Sequence, residues 1–335
     1  MHKSIISACT HIFPEKLLSS NDLESLVTQN SSYTPTQGII EATTGIKERH
    51  VSLDDEFNSS LAIQACQKLF SLNNNITPND IDLLIFASAG QDMLEPATAH
   101  VVQDSIGTRC PVLDVTNACN SFMNALEIAD TFIKAGRYQR ILITTGEVST
   151  KSAKLTIENK EDFKKSFPGY TFGDIGTAVL VEKSKDPTLG ILDMCFTADS
   201  THWSDAMLAG GGSRFRNEGD LYFQGSGNEL KLAFESIGPK FIKDFLERNH
   251  LKIEEIKHVF IHQVSVPYLH SFMDTCGLTE NQVEETVSTC GNVAAGSLPL
   301  AWSLRADRGE LKSGDAVLMV GLAGGISLGA VLLII

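Results

Sequence analysis

No run of basic residues occurs in the 335-residue sequence, and 27 Lys+Arg against 41 Asp+Glu give a formal charge of −14. Nucleic-acid binding needs a cationic surface that displaces counterions, so that class is disfavoured, and so is docking on an anionic membrane. No apolar stretch reaches bilayer-spanning length; the longest, around Ala330 to Ile335, is strand-sized. Met1-His2-Lys3-Ser4-Ile5-Ile6 is too short an apolar stretch for a signal peptide and runs on to Pro14. The seven cysteines (Cys9, Cys66, Cys110, Cys119, Cys195, Cys276 and Cys290) are odd in number and never form Cys-x-x-Cys. That pattern is neither a disulfide scaffold nor a zinc site, and it reads as a reducing, cytoplasmic setting. Low-complexity tracts and long linkers are missing too.

What is present is an apolar content of 42% with 20% charged residues, the balance of a folded globular chain with a core large enough to shield a small-molecule site. Short β-branched runs alternate with longer amphipathic ones, which predicts α/β architecture. Strands are expected at Ile81–Ala87, Arg140–Gly146, Ala178–Glu182, His258–His262, Ala316–Gly321 and Leu328–Ile335. Helices are expected at Asn120–Ala135, stopped by Gly136, and at Gly296–Arg305. In each half a buried strand leads to a loop with a reactive residue, then an apolar helix, then a strand. This layout suggests a duplicated unit, residues 1–186 and 187–335, joined near Pro187, although any α/β protein alternates its elements and the halves share little literal identity. The stretches 151–170 and 201–227 read as excursions from the core, of the kind that wall substrate pockets.

Cys119 follows the probable strand Val112–Val115 and precedes a helix. A thiol at such a turn lies against unsatisfied N–H groups, which favour thiolate and can hold an oxyanion. An inert buried cysteine is the competing reading, and position alone does not separate the two. His262 ends an apolar strand and faces the sheet edge where α/β ligands bind; for a lone histidine, a core role satisfied by backbone fits as well. Asn292 sits among small residues in Cys290-Gly291-Asn292-Val293-Ala294-Ala295-Gly296-Ser297, where an ordinary turn or N-cap role is the plainer explanation. The glycine-rich stretch Gly321 to Gly329 has no following helix or lysine, so it is a tight turn rather than a phosphate loop.

Taken in order, Asp114-Val115-Thr116-Asn117-Ala118-Cys119-Asn120-Ser121-Phe122, His262-Gln263 and Gly291-Asn292-Val293-Ala294-Ala295-Gly296-Ser297-Leu298-Pro299 resemble the β-ketoacyl-ACP synthase III family. So do Thr44-Gly45-Ile46-Lys47-Glu48-Arg49-His50, Phe172-Gly173-Asp174 and the Gly324-Gly325 turn. Cys119 and His262 lie 143 residues apart, and His262 and Asn292 lie 30 apart, spacings that suit the family with a modest central insertion. The resemblance spans nearly the whole chain. It implies the thiolase fold, two α/β halves stacked in five layers α-β-α-β-α, usually as a homodimer, with no metal and no cofactor besides thioester substrates. It further implies that Cys119 carries an acyl group received from acyl-CoA or an acyl carrier protein. His262 and Asn292 would stabilise the enolate left when a malonyl-type thioester loses CO2, and the Cys119 and Gly324 N–H groups would form an oxyanion hole. Phe122, Met207, Phe215 and Phe223 are candidate walls of an acyl pocket, although ordinary core or lid packing explains each as well.

Departures from the family pattern cluster at its docking surface. Val264-Ser265-Val266-Pro267 stands where biosynthetic members carry Ala-Asn-x-Arg, so Pro267 replaces an arginine. Met273-Asp274-Thr275-Cys276 replaces a lysine pair, and Ile39 and Thr43 stand where a tryptophan and an arginine grip CoA. These losses favour a specialised condensing enzyme over a housekeeping initiator. Rival readings are acyl transfer to an amine or alcohol with His262 as general base, a Cys-His-Asn hydrolase, and a non-catalytic partner subunit.

Overall fold

In the computed structural model, which describes residues 3–335 apart from the Glu218 side chain, the apolar runs become the strands of two central sheets. The first sheet has the order Ser4–Ile12, Ile175–Lys183, Arg140–Glu147, Leu83–Ala87, Val112–Val115. Its first two pairings are antiparallel and the last two parallel. The second sheet runs Gly190–Ala198, Ser327–Ile334, Ala316–Ala323, His258–Ile261, with two antiparallel pairings and then a parallel one. A lone parallel bridge from Val259 to Val283 stands where the first sheet has its fifth strand. Order and direction therefore match strand for strand, and the layout is duplicated.

Alternation along the strands explains the layers. Leu83, Ile85 and Ala87 face the middle of the molecule, while Leu84 and Phe86 face an outer layer. In the second sheet Val317 and Met319 point inward and Leu318 and Val320 outward. The central strands of each sheet are buried on both faces, so they carry continuous rather than alternating apolar sequence. Between the sheets lie the helices Ser121–Lys134 and Ser297–Asp307, sharing one core with Phe122, Leu126, Leu298 and Trp302. Helices Asn58–Leu72 and Thr98–Ile106 cover the outer face of the first sheet. Gly227–Arg248 and Val266–Cys276 cover that of the second. This is the five-layer α-β-α-β-α arrangement that the resemblance implies.

Observed elements differ from the expected ones by a few residues at their ends, some longer and some shorter. The strand expected at Ala178–Glu182 spans Ile175–Lys183, and the one expected to end at His262 stops at Ile261. The two excursions carry their own structure: the short helix Lys160–Ser166 in one, and the small hairpin Ala206–Leu208 with Phe223–Gly225 in the other. Among the described residues no helix is long and apolar enough to cross a membrane.

Candidate active site

Cys119 lies in the turn between the strand Val112–Val115 and the helix Ser121–Lys134. Several groups fix that turn. Asp114 accepts hydrogen bonds from the Thr98 and Ala99 N–H groups, capping a neighbouring helix, and Ser121 Oγ accepts from the Asn117 N–H at 2.8 Å. Ala118 is held at φ 47°, a left-handed conformation that costs a non-glycine residue about 1 kcal/mol or more. Asn120 reaches into the other half of the molecule, donating to Ser327 O at 2.9 Å. A Cβ on Gly321 would lie 2.1 Å from Asn120 Oδ1, so only glycine admits this contact.

From the second half, His262 emerges just past its strand, its N–H bonded to Val320 O. The ring Nδ1 is 3.0 Å from Ser297 Oγ, and that hydroxyl donates to Ala294 O at 2.9 Å. With its one proton committed, Ser297 accepts from His262, which assigns the neutral ring's proton to Nδ1 and leaves Nε2 a lone pair. Gln263 acts on the backbone beyond: Oε1 accepts from the Thr286 and Val287 N–H groups, and Nε2 donates to Glu284 O, pinning the segment that leads to Asn292. Asn292 Oδ1 accepts from the Ala294 N–H at 3.0 Å, so its amide nitrogen remains available as a donor. The Phe172-Gly173-Asp174 turn buttresses this loop, with Asn292 N–H donating to Thr171 O and Gly173 N–H to Asn292 O. A Cβ on Gly173 would sit 1.9 Å from Cys290 O.

These three side chains line one cavity of about 1160 Å³, together with Gly324. That exceeds the roughly 300–1,000 Å³ of an ordinary small-molecule site. Among the described residues neither the Cys119 nor the Gly324 backbone N–H donates to a protein acceptor, as an oxyanion hole requires. Met207 and Phe223 also line the cavity, with Leu230 and Phe234 from the helix Gly227–Arg248. Phe122 does not: it points away from the turn into the core between the sheets. Phe215 is likewise outside the lining and lies beside the Arg214 guanidinium, 5.4 Å from its ring centroid. Phe122 stands three residues after Cys119 in sequence, which does not fix the face of the helix it occupies.

The electrostatics differ from the expectation of a ready thiolate. Burial pushes the Cys119 thiol up to about 12, and the nearby Glu147 adds to the rise. The helix end does not outweigh that desolvation, so the resting sulfur is protonated. Burial likewise holds His262 down to about 4, making it a neutral acceptor. Glu147 is fully buried at the end of the strand Arg140–Glu147, and desolvation lifts its carboxyl to about 7 against hydrogen bonds led by the Ala89 N–H. Sequence reasoning passed over Glu147; its signal is a charged residue directly after the apolar run Ile141 to Gly146.

A family model described as 3-oxoacyl-[acyl-carrier-protein] synthase III matches residues 113–200, and its C-terminal companion matches residues 246–335. The β-ketoacyl-[acyl-carrier-protein] synthase III of Thiobacillus denitrificans is 31% identical over 323 residues, covering 96% of this chain and 95% of that protein. The chain belongs to this family. A second member, from Methylococcus capsulatus, is 30% identical over 96% of this chain and 95% of its own length. Among solved structures, a variant of Xanthomonas campestris OleA with bound lauric acid and lauroyl-CoA has the same fold, with a TM-score of 0.89, 22% identity and 99% of each chain covered. A 3-oxoacyl-(acyl-carrier-protein) synthase III gives a TM-score of 0.88 at 21% identity, covering 99% of this chain and 100% of its own. Family membership makes this protein an acyl-transferring condensing enzyme. Its Pro267 opens the helix Val266–Cys276, where a missing N–H costs nothing because Ser265 caps the turn through the Tyr268 N–H.

Proposed function

We propose that the enzyme loads an acyl group on Cys119 and condenses it with a malonyl-type thioester. The supporting observation is the convergence of a thiol, an imidazole and a carboxamide from both halves on one large cavity. In the first step the Cys119 sulfur attacks the donor thioester, a new C–S bond forms and the old one breaks. His262 Nε2, the lone pair, takes the Cys119 proton and keeps it through the second step, while the donor leaves as its thiolate. In the second step CO2 leaves the malonyl group and its bonding pair becomes an enolate. The Asn292 amide and the His262 imidazolium, once protonated, hold the negative oxygen. The enolate carbon then attacks the acyl carbonyl, whose oxygen is held by the Cys119 and Gly324 N–H groups, and the sulfur is released.

Loss of the docking residues at Pro267 and Met273–Cys276 supports a specialised pathway, and the size of the cavity supports a starter longer than acetyl. The same reading makes the protein a cytoplasmic homodimer acting on CoA or carrier-protein thioesters without a metal or cofactor, with its halves divided at 186/187. The exposed Met93 and Leu94 on the cavity wall are apolar surface that a second subunit would cover. Labelled malonyl thioester should release CO2 only when Cys119 is acylated, and no release under any starter overturns the condensation.

A second reading has one observation in its favour. Because the Ser297 contact leaves Nε2 a lone pair, His262 is also suited to deprotonate an amine or alcohol acceptor, giving acyl transfer without carbon–carbon bond formation. In that case an acylated enzyme discharges to the acceptor and malonyl thioester is left intact.

A further inference from the structure

We propose that Arg305, on the helix Ser297–Asp307, is a positioning residue for Asn292: it closes the loop that carries the carboxamide and so fixes the spacing of the two groups that hold the enolate oxygen. The inference rests on the reading that His262 and Asn292 act together on a malonyl-derived enolate. The duplicated layout shows what this loop lacks. In the first sheet the segment leading to Cys119 is the strand Val112–Val115, paired with Leu84–Ala87 residue for residue. Its counterpart in the second sheet leads to Asn292 and, among the described residues, makes the single bridge Val259 to Val283. Side chains stand in for the missing ladder. Gln263 holds the end nearest the cavity, at Glu284 O and at the Thr286 and Val287 N–H groups, and Gln282 Nε2 donates to Ile253 O and Ile256 O.

Arg305 holds the other end. Nε donates to the Glu284 carboxylate at 2.8 Å, Nη1 to Asn281 O at 3.1 Å and Nη2 to Val283 O at 3.0 Å. Glu310 Oε2 lies 3.4 Å from Nε, and His258 Nδ1 lies 3.5 Å from Nη1. Arg305 is buried, and three acceptors on one short stretch are met at once only by a planar fork. One helix therefore reaches both donors. Its first residue, Ser297, contacts the His262 ring, and Arg305 stands eight positions on, about two turns away. Residues 284–297 form a loop tied to this helix at both ends, and Asn292 lies within it. Thr171 and Gly173 anchor Asn292 to the first half of the molecule. Arg305 anchors its loop to the half that holds His262. Two donors on one oxyanion tolerate little relative movement, and a shift of about 1 Å can cost a large share of the rate.

The test separates the two half-reactions in the full-length protein: acylation of Cys119 by an acyl-CoA, read by intact mass, and CO2 release from labelled malonyl-CoA by the acylated enzyme. Arg305→Lys keeps the charge without the fork. It should lower the kcat of CO2 release about tenfold while leaving acylation within about twofold, and Arg305→Ala should lose at least as much. Arg308→Ala removes exposed contacts to Glu284 and Glu310, leaves the Asn281 and Val283 carbonyls held, and should change neither half-reaction. In an Asn292→Ala background, Arg305→Lys should cost CO2 release nothing further, because its effect passes through Asn292. Hydrogen exchange of peptides covering 285–292 should quicken in Arg305→Lys, with those around Cys119 unchanged. Equal losses in both half-reactions, or an additive loss on top of Asn292→Ala, make Arg305 a purely structural residue and overturn the proposal. Absence of CO2 release from the parent with any malonyl thioester would overturn the condensation instead, and unchanged exchange over 285–292 would still overturn the clasp.

Discussion

Replacing Glu147 with glutamine removes a buried acid while keeping its shape and its acceptor for the Ala89 N–H at 2.8 Å. The carboxyl rises from 4.5 to about 7 in the folded protein because burial penalises the charged form. Below pH 4.5 both folded and unfolded chains hold the proton, and the group has no effect on stability. Between 4.5 and 7 the unfolded chain ionises first, so stability falls as pH rises. Above 7 the loss is complete at about 3 kcal/mol, from the free energy of a shift of this size. Glu147→Gln should therefore match the parent at pH 4 and exceed it at pH 8 by about that amount, less the cost of placing the new amide beside Ser149 Oγ. Urea unfolding at the two pH values measures this difference. Because Glu147 also raises the Cys119 thiol, the same variant should alkylate faster with iodoacetamide at pH 8. A stability difference that does not grow between pH 4 and pH 8 refutes the assignment of a strained buried carboxyl.

Further outcomes follow from the same geometry. Cys119→Ala should abolish the acyl mass gain on incubation with acyl thioesters, checked by intact-protein mass spectrometry. His262, held at about 4 when folded against 6.5 in a free chain, stabilises the protein fully above pH 6.5 and loses that contribution as pH falls toward 4. His262→Gln should flatten this acid limb in thermal melts, and the parent's loading rate should show no inflection near 6.5. Ser297→Ala frees the His262 ring and should slow loading at least tenfold without a comparable loss of stability, compared by kinetics and melting temperature. Gly173→Ala drives a Cβ to 1.9 Å from Cys290 O and should destabilise by about 3 kcal/mol in urea titrations.

Much of the architecture was legible because strands buried on both faces leave unbroken apolar runs, as at Leu83–Ala87 and Ala316–Ala323. The outer helix Gly227–Arg248 was not, since it is polar on one side and carries Pro239 in its interior. The first strand, Ser4–Ile12, was also missed, because Thr10 and His11 break its apolar pattern with polar contacts to Ala65 O and Ser303 Oγ. At the site, residue order brought out Cys119, His262 and Asn292. The protonation of Cys119 was misread because a helix end is visible in sequence, whereas desolvation and a carboxyl 28 positions away are not. The failure of Phe122 and Phe215 as wall residues has a similar cause: which way an aromatic points depends on packing partners distant in the chain.

The Asn120 carboxamide, seated where Gly321 has no side chain, ties the turn bearing the sulfur to the closing hairpin of the opposite repeat. The helices Ser121–Lys134 and Ser297–Asp307 share one core besides, so the two repeats are joined by packing as well as by this contact. A fragment ending before the second repeat would leave Asn120 unanchored and Ala118 free to relax out of its left-handed twist. Co-expressed fragments should regain thioester chemistry only to the extent that they reassemble, which makes recovery of activity a direct measure of that embrace.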